Sequence, residues 1–225
     1  MKIHQLWPTM ILTDQLKQLS EQENEELADI AQRYVVEKMI HYDTGFKHAI
    51  PNNLLLNYKS PALLKYYRLL EQYFWKYCKE IIQVGPADIT TPVMHMFGNV
   101  ERRGQWSPPH AHMGNQIVIT YYPKVVVDPD EPNAFAGQMV FHNPRNPPSG
   151  YWARKEFLFS PIGNKTGTIV CFPGHSEHST FPFFCEGSIK YALVCNIRFS
   201  GILEGEKSSL QYQNFQQLKK AQSEV

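Results

Sequence analysis

The sequence predicts a mainly β protein with flanking helices, a sandwich that carries its helices on one face. Three observations lead there. Aromatic residues make up 13% of the 225-residue chain, which also holds 16 prolines; aromatics favour strands and prolines punctuate loops. Helix-like periodicity fills much of the first 87 residues, and from about residue 88 it gives way to short apolar runs parted by Gly, Pro and Asn. The length suits one sizeable core, and helices followed by six to eight strands call for a sheet with one face covered. We therefore expect a single domain over 1–225. Residues 1–87 form a helical support, 88–200 the β core and 201–225 a tail.

Residues 1–13 alternate loosely and suit an edge strand, because Pro8 excludes a central one. Over 14–39, Leu16, Leu19, Leu27, Ile30, Ala31, Val35 and Met39 recur near a 3.6 period, which predicts a helix. Residues 60–83 repeat the signature, with Ser60 as N-cap and Pro61 at the first helical position. Leu63, Leu64, Tyr67, Leu70, Tyr73, Phe74, Tyr77, Cys78 and Ile81 make a broad apolar stripe there that reads as core packing. Strands are expected at 92–100, 115–127, 137–142, 155–160, 167–172 and 189–199. The polar, Pro-containing stretches 128–136 and 143–154 read as binding loops or lids. The final QYQNFQQLKKAQSEV reads as a short helix or a frayed end.

Lys+Arg (22) nearly balance Asp+Glu (21), a formal charge of +1. Neither nucleic acid nor an anionic membrane is indicated. Cys78, Cys171, Cys185 and Cys195 form no CxxC pair and sit among apolar or aromatic neighbours. They read as buried free thiols of a reducing compartment. The N-terminus lacks a signal-peptide pattern, and no segment is long enough to span a bilayer. The expected setting is the cytoplasm.

Chemistry concentrates in two places. His110 and His112 stand one residue apart at the mouth of an apolar run, where i and i+2 on a strand share a face. The segment GTIVCFPGHSEHSTFPFF offers His175, Glu177 and His178 just past another strand. A strand-borne pair facing a distant histidine can form a three-ligand site with positions left open, and imidazole suits iron, zinc, copper and nickel alike. Further on, Lys190, Ala192, Val194, Asn196 and Arg198 share a strand face. A cation on an inward face needs an anionic partner; a carboxylate cosubstrate is one candidate, and a solvent-edge position is the bland alternative.

These residues resemble the iron(II)/2-oxoglutarate-dependent oxygenases, in a subgroup often encoded by bacteriophages. The resemblance covers about 93–200 and rests on an ordered series: VMHMFGNVERRGQWSPPHAH, IVITYYP, GQMVFHNPR, GTIVCFPGHSEH and KYALVCNIRF. It implies a double-stranded β-helix, a cupin-like jelly roll, as the catalytic core, and Fe(II), 2-oxoglutarate and O2 as cofactors. It places His110 on the proximal ligand and His178 on the distal one. Lys190 falls on the residue that holds the cosubstrate's far carboxylate, with Tyr122 and Tyr121 reaching the same molecule. Asn196 and Arg198 are further pocket candidates. Two features depart from the wider superfamily. His112 stands where HxD or HxE is usual, although the subgroup shows HxH, so either His112 or a carboxylate such as Glu177 completes the set. Lys190 replaces Arg, giving a point charge in place of a fork.

The implied reaction is hydroxylation of a substrate, a protein side chain or a small molecule, as 2-oxoglutarate is decarboxylated to succinate. If the gene is a phage's, the compartment is the host cytoplasm. Trp106, Phe141, Phe172 and Phe181 are expected to shield the pocket, and Arg145 to contact substrate. His175 competes with His178 for the distal position but lies too early for the family spacing. Two other classes stay open: a non-catalytic jelly-roll binding module, and a cupin-like three-histidine metalloprotein with no oxo acid. Substrate identity and oligomeric state are not readable.

Overall fold

The computed structural model describes residues 9–41, 47–49, 54–143, 159–162 and 165–201. The tail from 202, Arg145 with most of its loop, and Pro8 lie outside them.

The main sheet has five antiparallel strands. They are β1 (Leu12–Gln15), β4 (Val93–Arg102), β5 (Ile117–Val126), β8 (Thr168–Pro173) and β10 (Ile189–Arg198), in the order β1-β8-β5-β10-β4. A smaller sheet, ordered β7-β6-β9, joins β6 (Met139–His142), β7 (Phe159–Ile162) and β9 (His178–Thr180). A short pair, β2 (Met39–His41) and β3 (Lys47–Ala49), stands apart. Alternation along each strand divides the apolar residues between two cores. On one face of the main sheet, Val118, Tyr122, Val170, Phe172, Ala192 and Val194 pack against Met139 and Phe141 of the small sheet. That is the interior of a jelly roll. On the opposite face, Ile117, Ile119, Tyr121, Ile169, Cys171, Leu193, Cys195 and Ile197 are buried under helices.

Those helices are α1 (Glu21–Lys38), the single turn α2 (Leu54–Asn57) and α3 (Pro61–Tyr77), which runs on through a π turn at Cys78–Ile82. Ser60 caps α3 as expected, accepting from the Leu63 N–H at 3.1 Å, with Pro61 at the first position. The first helix starts later than periodicity suggests, at Glu21 and not near residue 14. A reciprocal cap fixes that start. Ser20 Oγ accepts from the Glu23 N–H at 3.2 Å, and a Glu23 carboxylate oxygen accepts from the Ser20 N–H at 2.8 Å. Upstream, Leu12–Gln15 pairs with β8 as the edge strand. Leu16 and Leu19 are buried by the connection, which imitates a helical stripe without being one. In α3 the buried face runs through Tyr66 and Leu69, while Leu64 is 61% exposed. At Gly98, α1 lies so close to β4 that an added Cβ would meet Ala31 Cα at 2.9 Å.

All four cysteines are free, with Cys78, Cys171 and Cys195 buried and Cys185 half-buried. No helix among the described residues is long and apolar enough to cross a membrane.

Candidate metal centre

His110 and His112 do not lie in a strand. They occupy the extended segment and turn just before β5, and His178 opens β9. The segment is still held as a sheet would hold it. His110 and His178 exchange both backbone hydrogen bonds, each N–H donating to the other's carbonyl at 2.9 Å. The His112 N–H donates to the Gly174 carbonyl at 2.8 Å, and the Gly174 N–H to the Gln116 carbonyl at 3.0 Å. Gly174 has to be small, since a Cβ there would run into the Asn115 carbonyl.

The three imidazoles converge, with one ring nitrogen from each lying within 4.8 Å of the others. Ring centroids are 4.4 Å apart for His110 and His178, and 5.1 Å for the near-parallel, stacked His112 and His178. The backbone selects two tautomers. His110 Nδ1 lies 2.7 Å from the Pro108 carbonyl and His178 Nδ1 lies 2.9 Å from the Ser176 carbonyl. A carbonyl only accepts, so both Nδ1 atoms carry the proton and both Nε2 atoms keep a free lone pair. Burial, with the neighbouring His110, pulls the pKa of His112 down to about 4; the Asn196 side chain opposes this. His178 is pushed to about 3, again chiefly by burial and then by His110. Both rings are therefore neutral near pH 7. Three imidazoles that bring one ring nitrogen each to a common point fit a divalent transition metal.

Aromatic rings surround the cluster. Phe172 stands 4.8 Å and Phe141 5.8 Å from His178, and Phe97 6.5 Å from His112. Phe181 stacks on Phe135 and Trp106 is half-buried in the loop before His110. His175 and Glu177 are exposed and stand outside the cluster, so neither the competing histidine nor the suggested carboxylate joins it.

The inward face of β10 carries its residues as the alternation requires. Asn196 touches His112, while Arg198 is exposed at the strand's end. Lys190 is 2% exposed, not at a solvent edge, and its ammonium lies 5.4 Å over the Tyr122 ring. The anionic partner that a buried lysine needs comes from the chain itself. Glu101, its register partner on β4 and 0% exposed, sits 2.8 Å away through Oε2. Sequence reading passed over Glu101; the ERR run in which it sits looks like a solvated turn, and only its cross-strand register places it opposite Lys190. Tyr122 is buried in the jelly roll, and its hydroxyl has no partner among the described residues. Tyr121 faces the other way, as neighbours on a strand must. It stacks on Tyr66 and donates to Asn24 Oδ1 at 2.6 Å on the helical side, which removes it from the pocket.

The sequence matches no known family, and no curated protein matches it. Its fold has clear counterparts among solved structures. A prolyl-4-hydroxylase from Pseudomonas putida superposes with a TM-score of 0.56 at 12% identity, covering 84% of this chain and 92% of that one. A Trichoplax adhaerens prolyl hydroxylase, solved with a hypoxia inducible factor peptide fragment, gives 0.51 at 12% identity, covering 84% and 83%. An oxidoreductase of the 2OG-Fe(II) oxygenase family from Burkholderia pseudomallei gives 0.50 at 9% identity, covering 84% of each chain. The fold is thus the double-stranded β-helix of 2OG-Fe(II) oxygenases.

Proposed function

We propose that the chain is an Fe(II)- and 2-oxoglutarate-dependent dioxygenase that hydroxylates a protein side chain or a small molecule. The convergence of His110, His112 and His178 in a fold shared with these oxygenases carries the reading. Bound there with 2-oxoglutarate and O2, Fe(II) supplies the power to hydroxylate an unactivated C–H bond while the oxo acid becomes succinate and carbon dioxide.

The chain's own residues supply position and shelter. His110 and His178 present Nε2 because the Pro108 and Ser176 carbonyls hold Nδ1, and Asn196 steadies His112. Phe97, Phe141 and Phe172 keep water from the cluster. The orphaned Tyr122 hydroxyl and the Lys190 ammonium offer donors, inside the same β-helix, for the far end of an oxo acid. The peptide bound to the Trichoplax enzyme makes a protein side chain the first substrate class to screen.

The absence of a carboxylate from the cluster among the described residues, together with Glu101 beside Lys190, favours one second reading, a three-histidine metalloprotein that uses no oxo acid. An anaerobic titration with Fe(II) and 2-oxoglutarate separates the two. The first reading expects the weak visible charge-transfer band of a chelated complex, lost in His112→Ala and restored in His112→Asp. Iron binding without the band supports the second. A protein that binds no iron is a jelly-roll binding module.

A further inference from the structure

The ammonium of Lys190 has three N–H donors. It is ion-paired with Glu101 Oε2 at 2.8 Å and donates to the Gly137 carbonyl at 2.6 Å. Glu101 is anchored in turn. Its Oε1 accepts from Ser107 Oγ at 2.8 Å, Thr180 Oγ1 at 2.9 Å and Asn99 Nδ2 at 3.3 Å. Thr180 lies two residues past the metal-facing His178, and Ser107 three residues before His110, so this carboxylate also ties together the segments that carry the histidines. Swinging Glu101 aside would abandon all of these contacts in a site shut off from water. What remains for a ligand is the rest of the lysine ammonium and the Tyr122 hydroxyl, with the lysine charge already matched by Glu101.

The ethylene carboxylate of a glutamate side chain is chemically the far half of 2-oxoglutarate. Glu101 therefore fills, from within the chain, the anion position beside Lys190. A second carboxylate brought there meets a like charge in low dielectric.

We propose that Glu101 sets the cosubstrate preference of the site: by neutralising Lys190 it leaves an uncharged pair of donors, which accepts a 2-oxo acid ending in a neutral acceptor about as well as one ending in a carboxylate. This rests on the oxo-acid reading above. Glu101 acts as a specificity-determining residue through Lys190, without touching the ligand.

The test is calorimetric titration of the full-length protein loaded with Mn(II), which binds oxo acids without turnover. The probes are 2-oxoglutarate and its 5-methyl ester, which keeps the acceptor and loses the charge. In wild type the two affinities fall within tenfold of each other. In Glu101→Gln the ratio moves at least tenfold towards 2-oxoglutarate. A purely structural role for Glu101 weakens both ligands together, leaves the ratio unchanged and overturns the proposal. So does a wild type that prefers 2-oxoglutarate by more than tenfold, a result that needs no variant to fold. Failure of both acids to bind the Mn(II)-loaded wild type overturns the oxo-acid reading itself, and this proposal with it.

Discussion

At the scale of single residues, the three histidines form a unit because backbone carbonyls aim His110 and His178 and burial keeps His112 and His178 neutral. On the proposed reading, removing one imidazole removes a ligand and leaves two. Either His110→Ala or His178→Ala should weaken Co(II) or Fe(II) binding at least a hundredfold with little change in far-ultraviolet circular dichroism, measured by metal titration. The pH response follows from the depressed pKa values of His112 and His178, about 4 and about 3, against an ordinary value near 6.5. Between those limits the unfolded chain binds more protons than the folded one, so stability rises with pH. Metal-free protein should be most stable above about pH 6.5. It should lose up to about 1.4 kcal/mol per pH unit for each ring as pH falls towards 4, readable as the urea midpoint against pH. The Glu101–Lys190 pair makes a separate prediction. Lys190→Met strands a buried carboxylate and should cost about 3–5 kcal/mol, while the double change with Glu101→Gln recovers much of it. Chemical denaturation of the three variants checks this. The histidines and Lys190 were legible because their places beside or within apolar runs are a local property of the sequence. Glu101 was not, since its meaning arises only when β4 lies beside β10.

At the scale of elements, the turn around Gly174 decides how the HxH segment meets β8. Gly174→Ala should push Asn115 and His112 away, destabilise the fold by about 1–3 kcal/mol and lower metal affinity by tenfold or more. Thermal melts with and without metal measure both effects. Five of the six expected strands lie within a few residues of their predicted places, because alternation persists along a half-buried strand; the sixth, expected at 155–160, falls mostly outside the described residues. The three-residue β9 escaped notice, being too short to show a period although it carries His178. The start of α1 was misplaced because Leu16 and Leu19 are buried by a connection with no helical geometry. The Ser20–Glu23 capping pair marks the true boundary.

At the scale of the whole molecule, the main sheet is apolar on both faces, and the two faces serve different ends. One encloses the histidine cluster with the small sheet. The other is covered by α1 and α3. A chain beginning at residue 88 would expose Ile117, Ile119, Ile169, Cys171, Leu193 and Ile197 together, an apolar patch well beyond what monomers tolerate. It should aggregate, whereas the full chain should unfold in one transition seen alike by circular dichroism and tryptophan fluorescence; soluble yield and coincidence of the two curves check this. The cover was foreseeable from the ordering of helices before strands, and its packing on the face opposite the histidines follows from alternation.

The mutual backbone hydrogen bonds between His110 and His178 have a practical consequence. A rung of sheet is enough to keep these two histidines at their separation. Chelating the metal away should leave a vacant but shaped socket, so apoprotein should take up fresh iron at once, without any refolding interval.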